Sequence, residues 1–436
     1  MSEFFALPAA LVAQHEPLDW GVIAVFAVVY LGMFLGGLPR LRLDRSGVAL
    51  LGAIAMIGLG ALDVPQAAKA VDLPTILLLF SFMVISAQMR LGGFYGAVTR
   101  WIGGKPWPPG LLLGALVLTA GALSAIFSND VICLAMTPVV AQICIARALP
   151  PLPFLVGLAC AANVGSAATL IGNPQNMLIG SVLGLDFARY FLLAGPPALA
   201  GLVAIWLCLW LILRRQMAAE TGAPGGQRVE ATQASEPAFD AGQSLKGVAV
   251  VSAVLAAFTL TEWPHEVVAL VAAGVLLLSR RLHSAEIMGY VDWSLLVLFM
   301  GLFVVNAAID RTGLPAEAVA WLVRQNIALG DPVPLTVLGM GLSNLVSNVP
   351  AVMLLLPHLH GETQGVLLAL VSTLAGNLLL VGSIANLIVV DLAARAGIVI
   401  GWRAHLKIGL PVTALTLAIT LAWLFGGRTW VLGLLS

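Results

Sequence analysis

The stretch Asn163-Val-Gly-Ser-Ala-Ala-Thr-Leu-Ile-Gly-Asn-Pro-Gln-Asn176 interrupts an apolar run that extends from Phe154 to Leu183. Two glycines, a proline and several amides in mid-run predict that a helix stops and restarts there. Irregular backbone at membrane depth survives only where it is buried in protein or lines a wet cavity. The stretch therefore predicts one broken membrane helix around a polar site.

The composition of the chain supports a membrane protein. Of its 436 residues 60% are hydrophobic and only 10% are charged, far below the quarter that is usual in soluble domains. Equal totals of 21 basic and 21 acidic residues leave no basic surface for nucleic acid. We predict an all-α polytopic protein with the bilayer as its surroundings. The predicted unbroken spans are Trp20–Phe34, Gly47–Leu62, Leu73–Met89, Phe191–Leu213, Gly247–Leu260, Val267–Leu278, Trp293–Ile309 and Ile408–Leu424.

Three further apolar runs also carry polar interruptions. Leu111–Ala146 is broken by Ser128-Asn129-Asp130, and Leu335–Leu356 by Ser347-Asn348. We interpret these short breaks as tips of re-entrant hairpins, around 128–130 and 347–349. The run 366–392 is broken from Gly376 to Asn386 and is interpreted, like 154–183, as one unwound helix.

A polar segment, 214–246, divides the chain into an N-terminal half, 1–213, and a C-terminal half, 247–436. Each half then has about five crossings plus one hairpin. Most of the 21 Lys and Arg residues fall in loops on the side that holds this linker. The positive-inside rule therefore predicts a cytoplasmic linker and both termini outside, in a plasma or inner membrane.

The two halves resemble each other at collinear polar positions. Matching pairs are Asp72 and Asp292, Ser124 and Ser343, Ser128-Asn129 and Ser347-Asn348, Asn163 and Asn377, Gly172 and Gly382, and Asn176 and Asn386. Such agreement indicates an internal repeat. Because each half has an odd number of crossings, the second copy is predicted to be inverted in the membrane.

The polar breaks supply the candidate site. At the tips, Ser128, Asn129, Ser347 and Asn348 offer oxygen ligands of the kind that sodium takes. Asp130 is the one acid near the centre of these segments, which makes it a candidate proton carrier or cation ligand. An N-terminal helix cap is its structural alternative, compatible with function. The candidate substrate-binding residues are Asn163, Gly165, Ser166, Thr169, Gly172, Asn173, Asn176, Asn377, Gly382, Ser383 and Asn386.

The chemistry of these residues narrows the function. No Lys or Arg lies in the four segments, so amides, hydroxyls and helix dipoles would hold a neutral oxyacid or weakly charged anion. An enzyme would need a nucleophile and base or a metal pair, and we expect no core histidine and no cofactor. A channel would need a continuous polar path, which apolar hairpins entering from opposite sides disfavour.

Three of these segments resemble the ion transporter superfamily. The residues are Phe127-Ser128-Asn129-Asp130, Ala162-Asn163-Val164-Gly165 leading to Gly172-Asn173-Pro174-Gln175-Asn176, and Gly376-Asn377 leading to Gly382-Ser383 and Asn386. The resemblance covers nearly the whole chain. It implies an elevator-type transporter, usually a homodimer, with a scaffold part and a moving transport part.

The residues at the hairpin tips indicate the branch of the superfamily. Divalent-anion symporters carry Ser-Asn-Thr at both tips, whereas in this chain Asp130 and Val349 stand in the third positions. Asn-Asp at the first tip is more similar to arsenite and silicon efflux permeases, which implies proton coupling, although Asn173 replaces their Asp. We predict a secondary transporter of a small inorganic or organic anion, coupled to H⁺ or Na⁺ and most similar to arsenite efflux. The alternatives are sodium-coupled citrate or dicarboxylate symport and sodium/proton antiport.

Overall fold

The computed structural model describes residues 17–38, 41–220, 237–279 and 281–426, and within these ranges the chain is helical. Its β-type contact is one isolated bridge between Gly37 and Asp44. The predicted all-α class is confirmed for the described ranges. The α-helices are α1 (Pro17–Leu35), α2 (Arg45–Gly58), α3 (Val64–Ala70), α4 (Leu73–Leu91), α5 (Phe94–Gly103), α6 (Pro109–Ile126), α7 (Asn129–Ala146), α8 (Pro151–Ser166), α9 (Pro174–Leu183), α10 (Phe187–Glu220), α11 (Ala241–Leu260), α12 (His265–Leu277), α13 (Ser284–Met288), α14 (Trp293–Arg311), α15 (Leu314–Arg324), α16 (Pro332–Val346), α17 (Asn348–Leu355), α18 (Glu362–Ala375), α19 (Ile384–Arg395) and α20 (Trp402–Gly426).

Among the described residues, eight helices are long and apolar enough to cross a membrane, and shorter apolar helices lie between them. The eight are α1, α4, α6, α7, α10, α11, α14 and α20. Large apolar side chains such as Leu31, Leu111 and Leu199 are exposed on these helices. Lipid can cover such an apolar surface, whereas its exposure to water would be unfavourable.

Both predicted broken helices are broken in the structure. In the first, α8 ends at Ser166 and α9 begins at Pro174, whose missing N–H costs nothing at the first helical position. In the second, α18 ends at Ala375 and α19 begins at Ile384, with a short 3₁₀ turn between them. Almost every residue of α8 and α18 is buried, so these helices form the centre of the protein.

The two predicted hairpins turn at the predicted tips. Ser128 separates α6 from α7, and Ser347 separates α16 from α17. Each arm of the first hairpin has 18 residues and is among the helices long enough to cross a membrane. The arms of the second have 15 and 8 residues. The re-entrant path of both hairpins stays a prediction.

Helices extend into both ends of the predicted linker. α10 continues to Glu220 because its last turns consist of good helix formers, and α11 begins at Ala241. The Asp240 side chain accepts from the N–H groups of Gly242 and Gln243, and these hydrogen bonds lower the pKa of its carboxyl group. The centre of the linker, residues 221–236, and both predicted outward termini lie outside the described residues.

The long helices pack as two bundles. The frame bundle consists of α1, α2, α4, α11, α12 and α14, and the site bundle consists of α6–α10 and α16–α20. In the frame, α2 packs on α14 while α4 packs on α12. Since α2 matches α12 in sequence and α4 matches α14, the two halves of the chain contact each other reciprocally. In the site bundle, the matching helices α10 and α20 lie side by side.

Candidate functional site

Asn163 is the hub where one hairpin tip and both helix breaks meet. Its amide oxygen accepts from Asn129 Nδ2 at 3.0 Å and from Ser383 Oγ at 3.0 Å. Its amide nitrogen donates to Asn377 Oδ1 at 2.9 Å and to Asn386 Oδ1 at 3.3 Å. All five side chains are buried. The structure thus brings residues from both halves into one hydrogen-bonded cluster, with the matching residues Asn163 and Asn377 in direct contact.

The two breaks are held by the same internal bonds. Asn176 Nδ2 donates to the carbonyls of Ser166 and Thr169, which precede it by 10 and 7 residues. Asn386 Nδ2 donates to the carbonyls of Gly376 and Leu379, at the same separations of 10 and 7. These carbonyls lose their helical partners where the helix ends, and the side-chain amides replace them. The sequence repeat therefore extends to individual hydrogen bonds.

The remaining predicted residues of the first break hold its loop together. Ser166 Oγ donates to the Asn163 carbonyl at 2.8 Å and accepts from Asn173 Nδ2 at 3.0 Å. Asn173 Oδ1 also caps α9 by accepting from the Asn176 N–H at 2.9 Å. The Thr169 hydroxyl donates to the Ala125 carbonyl on the first hairpin.

Glycines permit this close folding. A Cβ at Gly172 would lie 2.2 Å from the Ser166 carbonyl oxygen, and one at Gly165 would lie 2.2 Å from the Gly121 carbonyl oxygen. A Cβ at Gly382 would lie 2.9 Å from Asn344 Oδ1. A larger residue at Gly165 or Gly382 would push a hairpin away from its break, and one at Gly172 would open the loop of the first break.

The two hairpin tips differ in backbone and chemistry. At the first, the Asn129 N–H donates to the Gly172 carbonyl at 3.2 Å, and Asp130 is half-buried in the first turn of α7. Ser128 is extended and half-buried, and its side chain makes no capping bond. At the second, Ser347 has φ of 77° and ψ of 163°, a region that normally admits only glycine. With its amide nitrogen as donor, Asn348 reaches the carbonyls of Ser372 at 3.0 Å and Gly382 at 3.2 Å.

Several buried polar residues of the cluster were not predicted. Tyr190 Oη donates to the Ala167 carbonyl at 3.0 Å and accepts from Asn176 Nδ2 at 3.0 Å. The Thr373 hydroxyl accepts from Asn173 Nδ2 at 3.3 Å and from Gln175 Nε2 at 3.1 Å. Asn344 Nδ2 donates to the Ala375 carbonyl at 3.0 Å. For Thr373 and Asn344 the sequence signal is a polar residue in an apolar run, one turn before a break or tip, whereas Tyr190 carries no such signal.

The expectation of no core histidine is wrong. His405 is 2% exposed, and its Nε2 lies 3.1 Å from the carbonyl oxygen of Asn377. It lies in the first turn of α20, just before the predicted start of that span at Ile408. α20 begins six residues earlier than hydropathy suggests, because helix geometry continues through a short polar turn that packs on the second break.

The buried cluster keeps four amide atoms without a protein partner. These are Asn129 Oδ1, Asn176 Oδ1, Asn344 Oδ1 and Asn377 Nδ2, three acceptors and one donor. The four side-chain hydrogen bonds of Asn163 join only uncharged groups. The hairpin tips and helix breaks of the cluster are where α7, α9, α17 and α19 begin. The N-termini of these helices direct partial positive charge toward the cluster. The arrangement can bind a small solute through uncharged donors and acceptors.

A cavity of about 420 Å³ opens between the frame and site bundles. Its lining includes Phe34, Asp292 and Ser294 from the frame and Ile384 and Leu387 from α19. A polar contact also joins the bundles, because Ser181 Oγ on α9 donates to Asp72 at 2.9 Å. Over residues 17–38, 41–220, 237–279 and 281–426, no three acidic, cysteine or histidine side chains cluster as a metal site would require.

Comparison with known proteins agrees with this architecture. Over residues 22–366 the chain matches the family model CitMHS, described as citrate transporter. It is 31% identical to the silicon efflux transporter LSI3 of rice (Oryza sativa subsp. japonica), over 90% of this chain and 95% of that protein. It is 25% identical to the putative transporter arsB of Dictyostelium discoideum, over 87% of each.

A solved structure shares the fold. The YdaH transporter of Alcanivorax borkumensis aligns with a TM-score of 0.56 and 14% identity, covering 95% of this chain and 98% of that one. The predicted superfamily, multi-pass membrane placement and transporter class are therefore confirmed, and the chain is a transporter rather than an enzyme. The chain belongs to the CitMHS citrate transporter family of the ion transporter superfamily and is a secondary transporter.

Proposed function

We propose that this transporter moves a small oxyanion in its neutral or weakly charged acid form, in the manner of arsenite efflux, and that protons drive it through Asp130. The observation that carries the proposal is the uncharged amide cluster around Asn163. Its unpartnered atoms include both a donor, Asn377 Nδ2, and an acceptor, Asn129 Oδ1. A hydroxylated acid such as arsenous or silicic acid presents both kinds of partner. A polyanion would bring charge that no buried Lys or Arg offsets among the residues that the structure describes.

Asp130 suits the role of coupling group by its position. It is two residues from Ser128 and next to Asn129, whose amide bonds directly to Asn163. Within the part of the chain that the structure describes, no hydrogen bond or ion pair occupies its carboxylate. A carboxyl group at membrane depth without a fixed cation can take up and release a proton as its surroundings change.

The proposed cycle uses the two bundles as the parts of an elevator. The site bundle, carrying both hairpins and both breaks, would slide along the frame bundle, and the cavity of about 420 Å³ would be the path to one side. The reciprocal packing of the halves and the duplicated bonds at the breaks support an inverted repeat of 1–213 and 247–436 around the 214–246 linker. We also propose a cytoplasmic linker, outward termini and a homodimer in a plasma or inner membrane.

A sodium-coupled anion symporter is the second candidate. Ser128, Asn129, Ser347 and Asn348 supply oxygen ligands, and Asn129 Oδ1 is buried without a partner. The strained backbone at Ser347 is a further feature of a kind that clusters at binding sites.

Everted vesicles test both candidates. Arsenite, silicic acid and citrate uptake is measured with an imposed pH gradient or an imposed sodium gradient. The proposal expects arsenite or silicic acid uptake driven by the pH gradient, and loss of that coupling in Asp130→Asn. Asp310→Asn, which neutralises an exposed acid of the frame, is the matched control. Sodium-driven citrate uptake, or full pH-driven uptake by Asp130→Asn, would contradict the proposal.

A further inference from the structure

Each helix break has a buried aromatic or imidazole ring at one equivalent carbonyl. Tyr190 Oη donates to the Ala167 carbonyl, just after α8 ends, and His405 Nε2 contacts the Asn377 carbonyl, just after α18 ends. Ala167 and Asn377 each stand nine residues before the matched pair Asn176 and Asn386, so their carbonyls are equivalent in place, although the sequence match of the Asn377 side chain is Asn163. Tyr190 lies on α10 and His405 on α20, the matching long helices that pack together. Two different side chains thus occupy one structural role.

Each ring holds a break that carries an amide with an unpartnered atom. Asn176 Nδ2 donates to Tyr190 Oη and to the carbonyls of Ser166 and Thr169, and Asn176 Oδ1 is left without a partner. At the other break, Asn377 Oδ1 accepts from Asn163 and Asn377 Nδ2 is left without a partner, while His405 contacts the backbone carbonyl of the same residue. Both rings therefore hold backbone close to an amide with a free atom.

The backbone around His405 is equally constrained. At Gly409, one turn further along α20, a Cβ would lie 2.2 Å from the Asn377 carbonyl oxygen. α20 therefore approaches the second break at van der Waals distance, and His405 is the polar group at that contact. A helix end needs one donor per free carbonyl, but an aliphatic neighbour could not supply it.

We propose that Tyr190 and His405 are positioning residues, which hold the backbone of the two helix breaks so that the Asn176 and Asn377 amides face the transported solute. The inference rests on the proposed function, because it assigns the selectivity of the same cluster. Losing either ring's polar group would leave a carbonyl of its break without a donor, displace the amide of that break and weaken solute binding. The movement of the bundles would change less, since both rings make these hydrogen bonds within the site bundle.

The test compares Tyr190→Phe and His405→Leu with His405→Gln, whose amide can still donate to the Asn377 carbonyl. Tyr30→Phe is the matched control, because it removes a tyrosine hydrogen bond, to Asn306 at 2.9 Å, inside the frame bundle. In everted vesicles with arsenite as the probe, we expect KM to rise about fivefold to tenfold in Tyr190→Phe and His405→Leu. The maximal rate should change less than about twofold, and His405→Gln should recover most of the loss.

Hydrogen exchange provides a readout that needs no solute. Tyr190→Phe should speed exchange of backbone amides in 167–173, and His405→Leu in 376–383, each in its own break, while Tyr30→Phe affects neither. Unchanged exchange, or a KM equal to that of Tyr30→Phe, overturns the positioning role. Faster exchange in a protein that moves none of arsenite, silicic acid or citrate would refute the proposed function and keep the positioning role.

Discussion

Replacing Asn163 by alanine removes the residue that joins the parts of the cluster, and so tests whether the cluster is needed for transport. Asn163→Ala deletes four side-chain hydrogen bonds, to Asn129, Ser383, Asn377 and Asn386. All four partners are buried, so each loses a bond that solvent cannot freely replace. The change therefore affects the first tip and both breaks at once.

The magnitude follows from those bonds. At about 1 kcal/mol each, four bonds give about 4 kcal/mol, and one water filling the vacated space would reduce the loss to about 2 kcal/mol. If the cluster binds the solute, this range corresponds to an arsenite transport efficiency lower by about 30-fold to 1000-fold. The unfolding midpoint should also fall, because the bonds join both halves of the chain.

The assay is the initial rate of arsenite uptake into everted vesicles, divided by the amount of folded protein. Asn306→Ala is the control, because it removes one hydrogen bond with Tyr30 in the frame bundle. We expect the control to lower stability by about 1 kcal/mol and to leave uptake per folded protein unchanged. An Asn163→Ala protein with uptake within about threefold of wild type would refute the assignment of the cluster as the solute site.

Two further predictions concern the second tip and the contact between bundles. Ser347→Gly should raise the unfolding midpoint by an amount equivalent to about 1 kcal/mol, because glycine tolerates the φ of 77°. Ser128→Gly changes a residue with ordinary extended backbone and should lower the unfolding midpoint. If differential scanning calorimetry shows the same change of midpoint for both variants, the backbone at Ser347 is not specially strained. Ser181→Ala removes the hydrogen bond between the bundles, to Asp72, and should lower the population of this conformation, in which the cavity is open. A cysteine placed in the cavity by Ser294→Cys should then react with a thiol reagent about twofold to tenfold more slowly. Thr75→Val loses a hydrogen bond to the same Asp72 but within the frame bundle, so it should leave the labelling rate unchanged. Equal labelling rates in the two variants would show that the Ser181 hydrogen bond does not stabilise this conformation.

Hydropathy and polar punctuation predict the framework of this protein well. The observed breaks, 167–173 and 376–383, lie within the predicted stretches 163–176 and 376–386, and helices end and restart beside Ser128 and Ser347. They could be predicted because lipid requires apolar side chains and satisfied backbone, so each polar interruption of a run has a structural cause. The collinear polar pairs were also informative, since Asn163 and Asn377 do lie in contact.

The chemistry of the individual groups depends on contacts between residues far apart in the chain. Tyr190 and His405 lie outside the predicted segments, yet each contacts a carbonyl freed by a helix break. Hydropathy carries no information about which carbonyl needs a donor.

By itself, the sequence determined the membrane class, the family and the positions of the four polar breaks. Only the tertiary structure decided that Asn163 joins the first tip to both breaks and that Asn377 keeps a free donor while Asn176 keeps a free acceptor. The physical reason is that hydropathy acts on each segment separately through its contact with lipid. A hydrogen bond depends instead on a donor and an acceptor from distant segments meeting within about 3 Å.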